Sequence, residues 1–200
     1  MKAWYFAHES NKLQYGDGRG IKIGETHTID CIPQCCKQGL HGSLKLIDAL
    51  FYAKGPIIYR VDIKGKIDKE QDKICGQSRT YLYGGINVKK ELHEFARLCA
   101  LKVAPLWGAP EIVIRYLKTG DSKLRFTVLD IAWKVAWNSS LKTVKFAAKA
   151  TAMAIMSDVS NSLDGIIEAL DSAWCVTEDR KTTLDRKFTQ LINKEIRSRT

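Results

Sequence analysis

Four sets of side chains in this 200-residue chain are of types that could do chemistry. The first is His8-Glu9-Ser10, with His41 and Ser43 further along. An imidazole near a hydroxyl can relay a proton or hold a substrate oxygen, so His8, Ser10 and His41 are the catalytic candidates. The competing reading is local: His8 bonding a loop carbonyl, Ser10 closing a turn, His41 and Ser43 shaping a turn and capping a helix. The second set is His27, Cys31, Cys35, Cys36 and His41, whose nitrogens and sulfurs are zinc ligands by type. Cys-x3-Cys-Cys with flanking His is not a Cys-x2-Cys knuckle and no second pair follows, so no metal is assigned. The third is Arg60, Lys73 and Arg79 on neighbouring strands with Asp62 and Asp72. Converging, the three cations form an anion pocket in which arginine suits phosphate; spread over a sheet face, they form a solvated charge ladder. The fourth is Lys134, Lys142, Lys145 and Lys149 near Trp133 and Trp137. Lysines beside aromatic rings suit nucleic-acid backbones and unstacked bases, although aromatic residues at helical spacing more often fill a core.

The elements that must position these residues follow from periodicity. Gly39 to Asp62 reads as turn, helix, stop and strand. Ser43 is placed to cap the helix, Leu46, Ile47, Leu50 and Phe51 recur at helical spacing, and Gly55-Pro56 ends it. Tyr59, Val61 and Ile63 then alternate with Arg60, Asp62 and Lys64, the pattern of a half-buried strand. Upstream, Lys2–Ala7 is an aromatic-rich strand, residues 15–20 form a turn, and Ile21–Ile23 and His27–Ile29 are short strands around Gly24. Downstream, Gly65 breaks the strand, Asp72–Cys75 and Arg79–Tyr83 add two short ones, and Gly84-Gly85 closes the unit.

From Asn87 the period changes to helical. Asn87 caps a helix running to Pro105, Pro110 opens the next, Gly120 ends it, and Asp121 or Ser122 caps an alanine-rich run. That run breaks near residues 138–140 and 157–162, and Gly165–Trp174 and Thr183–Ile196 complete four to six helices. Alanine-rich segments imply close helix packing, with tryptophans filling the gaps. The expectation is an α+β protein: residues 1–86 as a small mixed sheet with one main helix, and residues 87–200 as an all-helical domain.

The net charge is +10, which favours anionic partners. It is uneven: a basic stretch at Lys134–Lys149, a mostly acidic one from Asp158 to Asp179, and a basic tail at Arg180, Lys181, Arg186, Lys187, Lys194, Arg197 and Arg199. No apolar run reaches the roughly 18–20 residues of a membrane span, and Met1–Phe6 leads into charge instead of an export signal. The expectation is a cytoplasmic chain whose six cysteines are reduced and mostly buried.

Taken together, Trp4-Tyr5-Phe6, Tyr15–Arg19, Cys36 to Ser43, Asp48-Ala49-Leu50, Arg60-Val61, Asp72-Lys73 and Arg79 resemble an uncharacterised domain of bacteriophage and prophage proteins. Leu92–Ala100 and Ala109–Asp121 are similar to the linker those proteins place before alanine- and tryptophan-rich helical repeats, although here Val, Thr, Met and Ser interrupt the repeat. The resemblance implies a phage-borne setting, in the infected host's cytoplasm or with the virion, and a two-part build. It implies no activity. Strand, His8-x-Ser10, helix and polar strand also resemble, in shape, the front half of an ADP-ribosyltransferase domain, in which such a His and hydroxyl hold the nicotinamide ribose of NAD. The later catalytic Glu that those enzymes usually need has no obvious counterpart after Tyr83 in this domain. The leading expectation is therefore a non-catalytic phage accessory protein, with no cofactor, that binds nucleic acid or a host or phage protein such as a defence component. The alternatives are an NAD- or nucleotide-using enzyme and a structural virion component.

Overall fold

The computed structural model of the chain describes residues 1–160, 162–177 and 182–199. Five strands come first, β1 (Lys2–Ala7), β2 (Thr26–Thr28), β3 (Leu40–Gly42), β4 (Ile57–Lys69) and β5 (Ile74–Asn87), with helix α1 (Leu46–Phe51) between β3 and β4. Six helices follow: α2 (Lys89–Val103), α3 (Glu111–Thr119), α4 (Arg125–Asn138), α5 (Lys142–Ser160), α6 (Leu163–Trp174) and α7 (Thr182–Arg199). The fold is α+β. The chain divides into two compact units, one of Met1–Lys89 with Lys187–Thr200 and one of Lys90–Arg186. Asp179, Arg180 and Lys181 of the charge pattern lie outside the described residues.

The strand order is β1-β4-β5-β2, with β3 also on β5. All pairings are antiparallel, where the sequence suggests a mixed sheet. Just beyond β3, Ser43 exchanges backbone bonds with Trp4 of β1 at 2.8 and 3.0 Å, so the outer edges of β1 and β5 are joined and the sheet closes on itself. Period-2 alternation then sorts the side chains. Ala3, Tyr5, Ala7, Tyr59, Val61, Ile63, Ile74 and Tyr81 gather in one core with Leu40 and with Leu13 and Ile21 from the loop after β1. Helix α1 packs against β1, burying Leu46, Ile47 and Leu50.

Several local readings are corrected here, and glycine is the usual reason. β4 runs through Gly65, which takes φ +83° at a register shift instead of ending the strand. The two short strands read at Asp72–Cys75 and Arg79–Tyr83 are one strand, β5, passing through Gly76, where a Cβ would collide with Ile63 Cγ2. Glycine inside a strand here marks close approach and a bulge, not a stop. Ile21–Ile23 is not a strand; the loop instead delivers Ile21 to the core. Ser43 does not cap α1, whose N-cap is Lys45 without a side-chain bond, because its backbone is committed to Trp4. Gly55 is not a left-handed cap either: a Cβ there would sit 2.6 Å from the Ala7 oxygen and the His8 Cα, so its lack of a side chain lets the chain pass against β1.

Two helix-boundary readings hold: Asn87 accepts the Lys89 N–H at 3.0 Å and Gly120 ends α3 at φ +67°. Asp121 caps the 3₁₀ turn Ser122–Leu124 and not the alanine-rich run itself, because α4 begins at Arg125 behind that turn, with Leu124 as an N-cap that makes no side-chain bond; Ser162 caps α6. α5 lies against α4, α6 and the 3₁₀ turn Ala104–Trp107. Its buried face is small, with Ala147, Ala148, Ala150, Ala152 and Ala154, so backbones come close. At the α6 crossing a Cβ on Gly165 would lie 2.9 Å from Ser157 N, Cα and Cβ.

The closure of the sheet makes a sharp prediction at Gly84, which has φ +115° and no room for a Cβ against the Ile58 carbonyl and Tyr59 Cα. Gly84→Ala should lower stability by at least about 2 kcal/mol, read as a shifted urea midpoint. Gly20→Ala, whose Cβ meets nothing within 4 Å, should leave the midpoint in place.

Candidate functional site

His8 and Ser10 lie in the exposed turn after β1. His8 Nδ1 is 2.9 Å from Ser10 Oγ and accepts the Ser10 backbone N–H at 3.1 Å, a local turn closure. His41 stands apart from them on β3, paired in register with Cys75 on β5. Among the described residues no hydrogen bond joins its ring to His8 or Ser10.

Arg60, Lys73 and Arg79 occupy three separate environments. The Arg60 guanidinium lies over the Trp4 ring at 4.7 Å, on the sheet face opposite Tyr59 and Val61. Lys73 Nζ is 2.7 Å from Cys36 Sγ, 3.2 Å from Glu70 Oε2 and 3.5 Å from the Tyr52 hydroxyl, which itself donates to Asp72 at 2.6 Å. The Cys36 contact, more than Glu70 and Tyr52, holds the Lys73 ammonium above its usual range. A small cleft of about 120 Å³ beside it is lined by Leu44, Asp48, Glu70, Asp72 and Ile74.

Arg79 is 3 % exposed and belongs to the core. Its Nε and Nη2 donate to the Tyr81 hydroxyl at 3.1 and 2.8 Å, its Nη1 donates to the His41 carbonyl at 2.6 Å, and its plane lies 3.7 Å from the Tyr5 ring centre. Its register partner His27 meets the Tyr81 hydroxyl at 3.1 Å through Nδ1. Burial pushes the Tyr81 hydroxyl up to about 12, so it stays protonated. Burial first, then Arg19 and Arg79 outweighing Glu25, lowers His27 from its ordinary 6.5.

The cysteines sort differently from their sequence spacing. All six are free thiols, with Cys35, Cys75 and Cys99 buried and Cys36 and Cys175 exposed. A tight turn closed between Gln34 and Gln38, with Cys36 at φ +66°, lays Cys35 over Cys75 so that their sulfurs are 3.4 Å apart. Gly39, at φ +133°, lies where a Cβ would be 2.9 Å from the Cys75 Cβ. Cys75 was invisible to spacing because it lies 34 positions after His41 and becomes its neighbour only through β3–β5 pairing. Cys31 and His27 are not part of this group.

Of the helical lysines, Lys134 is paired with Asp130 at 2.7 Å and Lys149 with Glu168 at 2.8 Å. Lys142 and Lys145 are exposed at the start of α5, with Lys142 Nζ 5.9 Å from the Phe146 ring centre. On α4, Val128, Ala132 and Ala136 face inward, while Phe126 is 70 % and Trp137 76 % exposed. Trp133 and Trp137 meet edge to face at 6.0 Å. Trp137 therefore does not fill a gap between helices as expected, whereas Trp133 is half-buried and Trp107 is buried in the 3₁₀ turn that packs on α5; alanine lines most of the close helix contacts.

One buried constellation escaped the sequence reading. Asp158, assigned to an acidic surface run, has a side chain only 7 % exposed and accepts from Arg97 Nη1 at 3.1 Å and from the Tyr116 hydroxyl at 2.5 Å, with His93 Nδ1 at 3.2 Å. Burial and then the Asp158 bond push the Tyr116 hydroxyl well above its usual range. His93 and Arg97, one helical turn apart on α2, were the available signal. With Arg97, His93 and the Tyr116 hydroxyl all on one carboxylate, this is a lock between α2, α3 and α5.

Two predictions follow from the core polar groups. Arg79→Lys keeps the charge but loses the fork, and should cost roughly 2–3 kcal/mol in urea unfolding, with no compensating gain from added phosphate. His27, with its depressed folded pKa, contributes stability that is fully present above pH 6.5 and lost as pH falls below it. The urea midpoint in the presence of a chelator should therefore drop between about pH 6.5 and pH 5, and His27→Gln should make that drop shallower.

The chain has no helix long and apolar enough to cross a membrane among its described residues. Compared with protein-family models, with curated proteins and with solved structures, it matches none.

Proposed function

We propose that this protein is a non-catalytic accessory protein of the phage type its sequence resembles, and that it binds single-stranded nucleic acid through the α4–α5 hairpin. The observation that carries the reading is the inversion of α4, with alanines buried, Phe126 and Trp137 exposed, and Trp133 half-buried beside Trp137. Phe126, Asp130, Trp133 and Trp137 recur at four, three and four residues, so the rings form a stripe along one face. Leaving large rings in water is unfavourable and marks an interaction surface. Lys142 and Lys145 follow directly on α5, exposed and without a carboxylate partner among the described residues. Exposed rings on which bases stack, with cations for the phosphates, are what sequence-tolerant strand binding needs.

Lys134 and Lys149, each held by a carboxylate, contribute less than the composition suggests. Titration of labelled single-stranded DNA and RNA, followed by anisotropy at two salt concentrations, tests the reading. Trp137→Ala should weaken binding by about 1–3 kcal/mol, roughly 5- to 150-fold. The double variant Lys142→Ala and Lys145→Ala should reduce the slope of log affinity against log salt by about 1.4 for single strands. Absence of binding at low salt, or an affinity indifferent to Trp137, would sink the proposal. Concentration-dependent sedimentation lost in Trp137→Ala would instead favour the assembly role of a virion component.

A further inference from the structure

We propose that Cys35, His41 and Cys75 form a binding site for a soft divalent metal ion of the zinc class, where the Gln34–Gln38 turn meets the β3–β5 pair. Their donor atoms all lie within 4.8 Å of one another, the two sulfurs at 3.4 Å. Tetrahedral zinc, with bonds of about 2.3 Å to sulfur and about 2.0 Å to nitrogen, sets its donors roughly 3.5–3.8 Å apart. Small side-chain adjustments bring the three onto such a tetrahedron and leave one position for solvent or substrate.

Three features distinguish this cluster from a chance meeting of thiols. First, the His41 Nε2 is buried and has no hydrogen-bond partner among the described residues. A ligating histidine turns such a nitrogen to the metal.

Second, the charge balances. In the metal-free chain the Cys35 S–H donates to the Cys75 sulfur, so both thiol protons must leave when a metal binds. A divalent ion displaces both: M²⁺ plus two thiols gives a neutral bis-thiolate centre and two protons released to solvent, with no change of oxidation state. Third, the supports around the ligands are built for the geometry. Asp68 accepts the Cys35 backbone N–H at 2.8 Å, Arg79 holds the His41 carbonyl, and Gly39 lacks the side chain that would push into Cys75. Ligands from a turn and two strands would be tied together at one point, so a bound ion would pin the turn to the sheet edge.

The test uses the full chain, reduced and stripped with a chelator, then titrated with Co²⁺ under anaerobic conditions. The expected result is one equivalent bound, with thiolate-to-cobalt charge transfer in the near ultraviolet and visible bands of tetrahedral intensity, all removed by Zn²⁺. Cys35→Ser, on the turn, and His41→Ala should each lower Co²⁺ affinity at least tenfold, while Cys31→Ser and Cys36→Ser should leave it unchanged. Circular dichroism of each variant confirms that the sheet is retained. Gly39→Ala, which keeps all three ligands, should also weaken binding by displacing the turn. The proposal fails if the reduced chain takes up no stoichiometric Co²⁺ or Zn²⁺, or if uptake is indifferent to Cys35 and His41. It also fails if Cys31 or Cys36 proves to be the required thiol. Recovery of a Cys35–Cys75 disulfide, two hydrogens lighter, that persists under thiol reductant and excludes metal would equally overturn it.

Discussion

The first unit depends on a buried guanidinium. Taking a cation out of water costs several kcal/mol unless its donors and its charge are met, and Arg79 meets neither with a carboxylate. It uses two phenol rings, the Tyr81 hydroxyl and the His41 carbonyl. Each of these belongs to a different part of the sheet: Tyr5 to β1, Tyr81 to β5, His41 to β3. The cation can be satisfied only when those strands are brought together, so one residue ties the register of β5 to the closure made by Ser43 and Trp4. Lysine has no fork with which to reach all of them.

Closure in turn dictates where side chains must be missing. Ile63 needs the space above Gly42 and Gly76, and β4 passes so near Gly84 that only glycine fits. The helical unit solves its packing by the same means, with alanine along α5 and Gly165 at the α6 crossing. Small residues inside leave large ones without an interior place. On α4 Phe126 and Trp137 are left in water, which ties the proposed binding face to the way the helices pack.

This explains what the sequence makes legible and what it conceals. The aromatic-rich strand at Lys2–Ala7, the alternation at Tyr59–Lys64, and helix-boundary residues such as Asn87 and Gly120 are local signals, and the structure follows them. Glycines misled because their meaning is tertiary: Gly65, Gly76 and Gly84 look like stops until the neighbouring strand that crowds them is known. Ser43 has the chemistry of a cap but is claimed by a strand 39 residues earlier in the chain. The candidate sites divide in the same way. His41 was visible as a ligand type, whereas Cys75 joins it only through register, and Asp158 reads as surface charge until Arg97 and Tyr116 fold onto it.

Net charge is the feature most altered by folding. A sum of +10 treats every cation as available, but the structure withdraws many of them from solvent or from external partners. Arg79 is enclosed by rings, Arg97 is spent on Asp158, Lys73 is held by Cys36 and Glu70, and Lys134 and Lys149 lean on carboxylates. An exposed pair such as Lys134–Asp130 is worth little to stability, yet an anion approaching Lys134 must still compete with the carboxylate beside it. Attraction over a distance follows the whole charge, but contact follows the unpaired part. On the helical hairpin that part, among the described residues, includes Lys142 and Lys145, exposed at the start of α5 just after the exposed Trp137 of α4 in the chain.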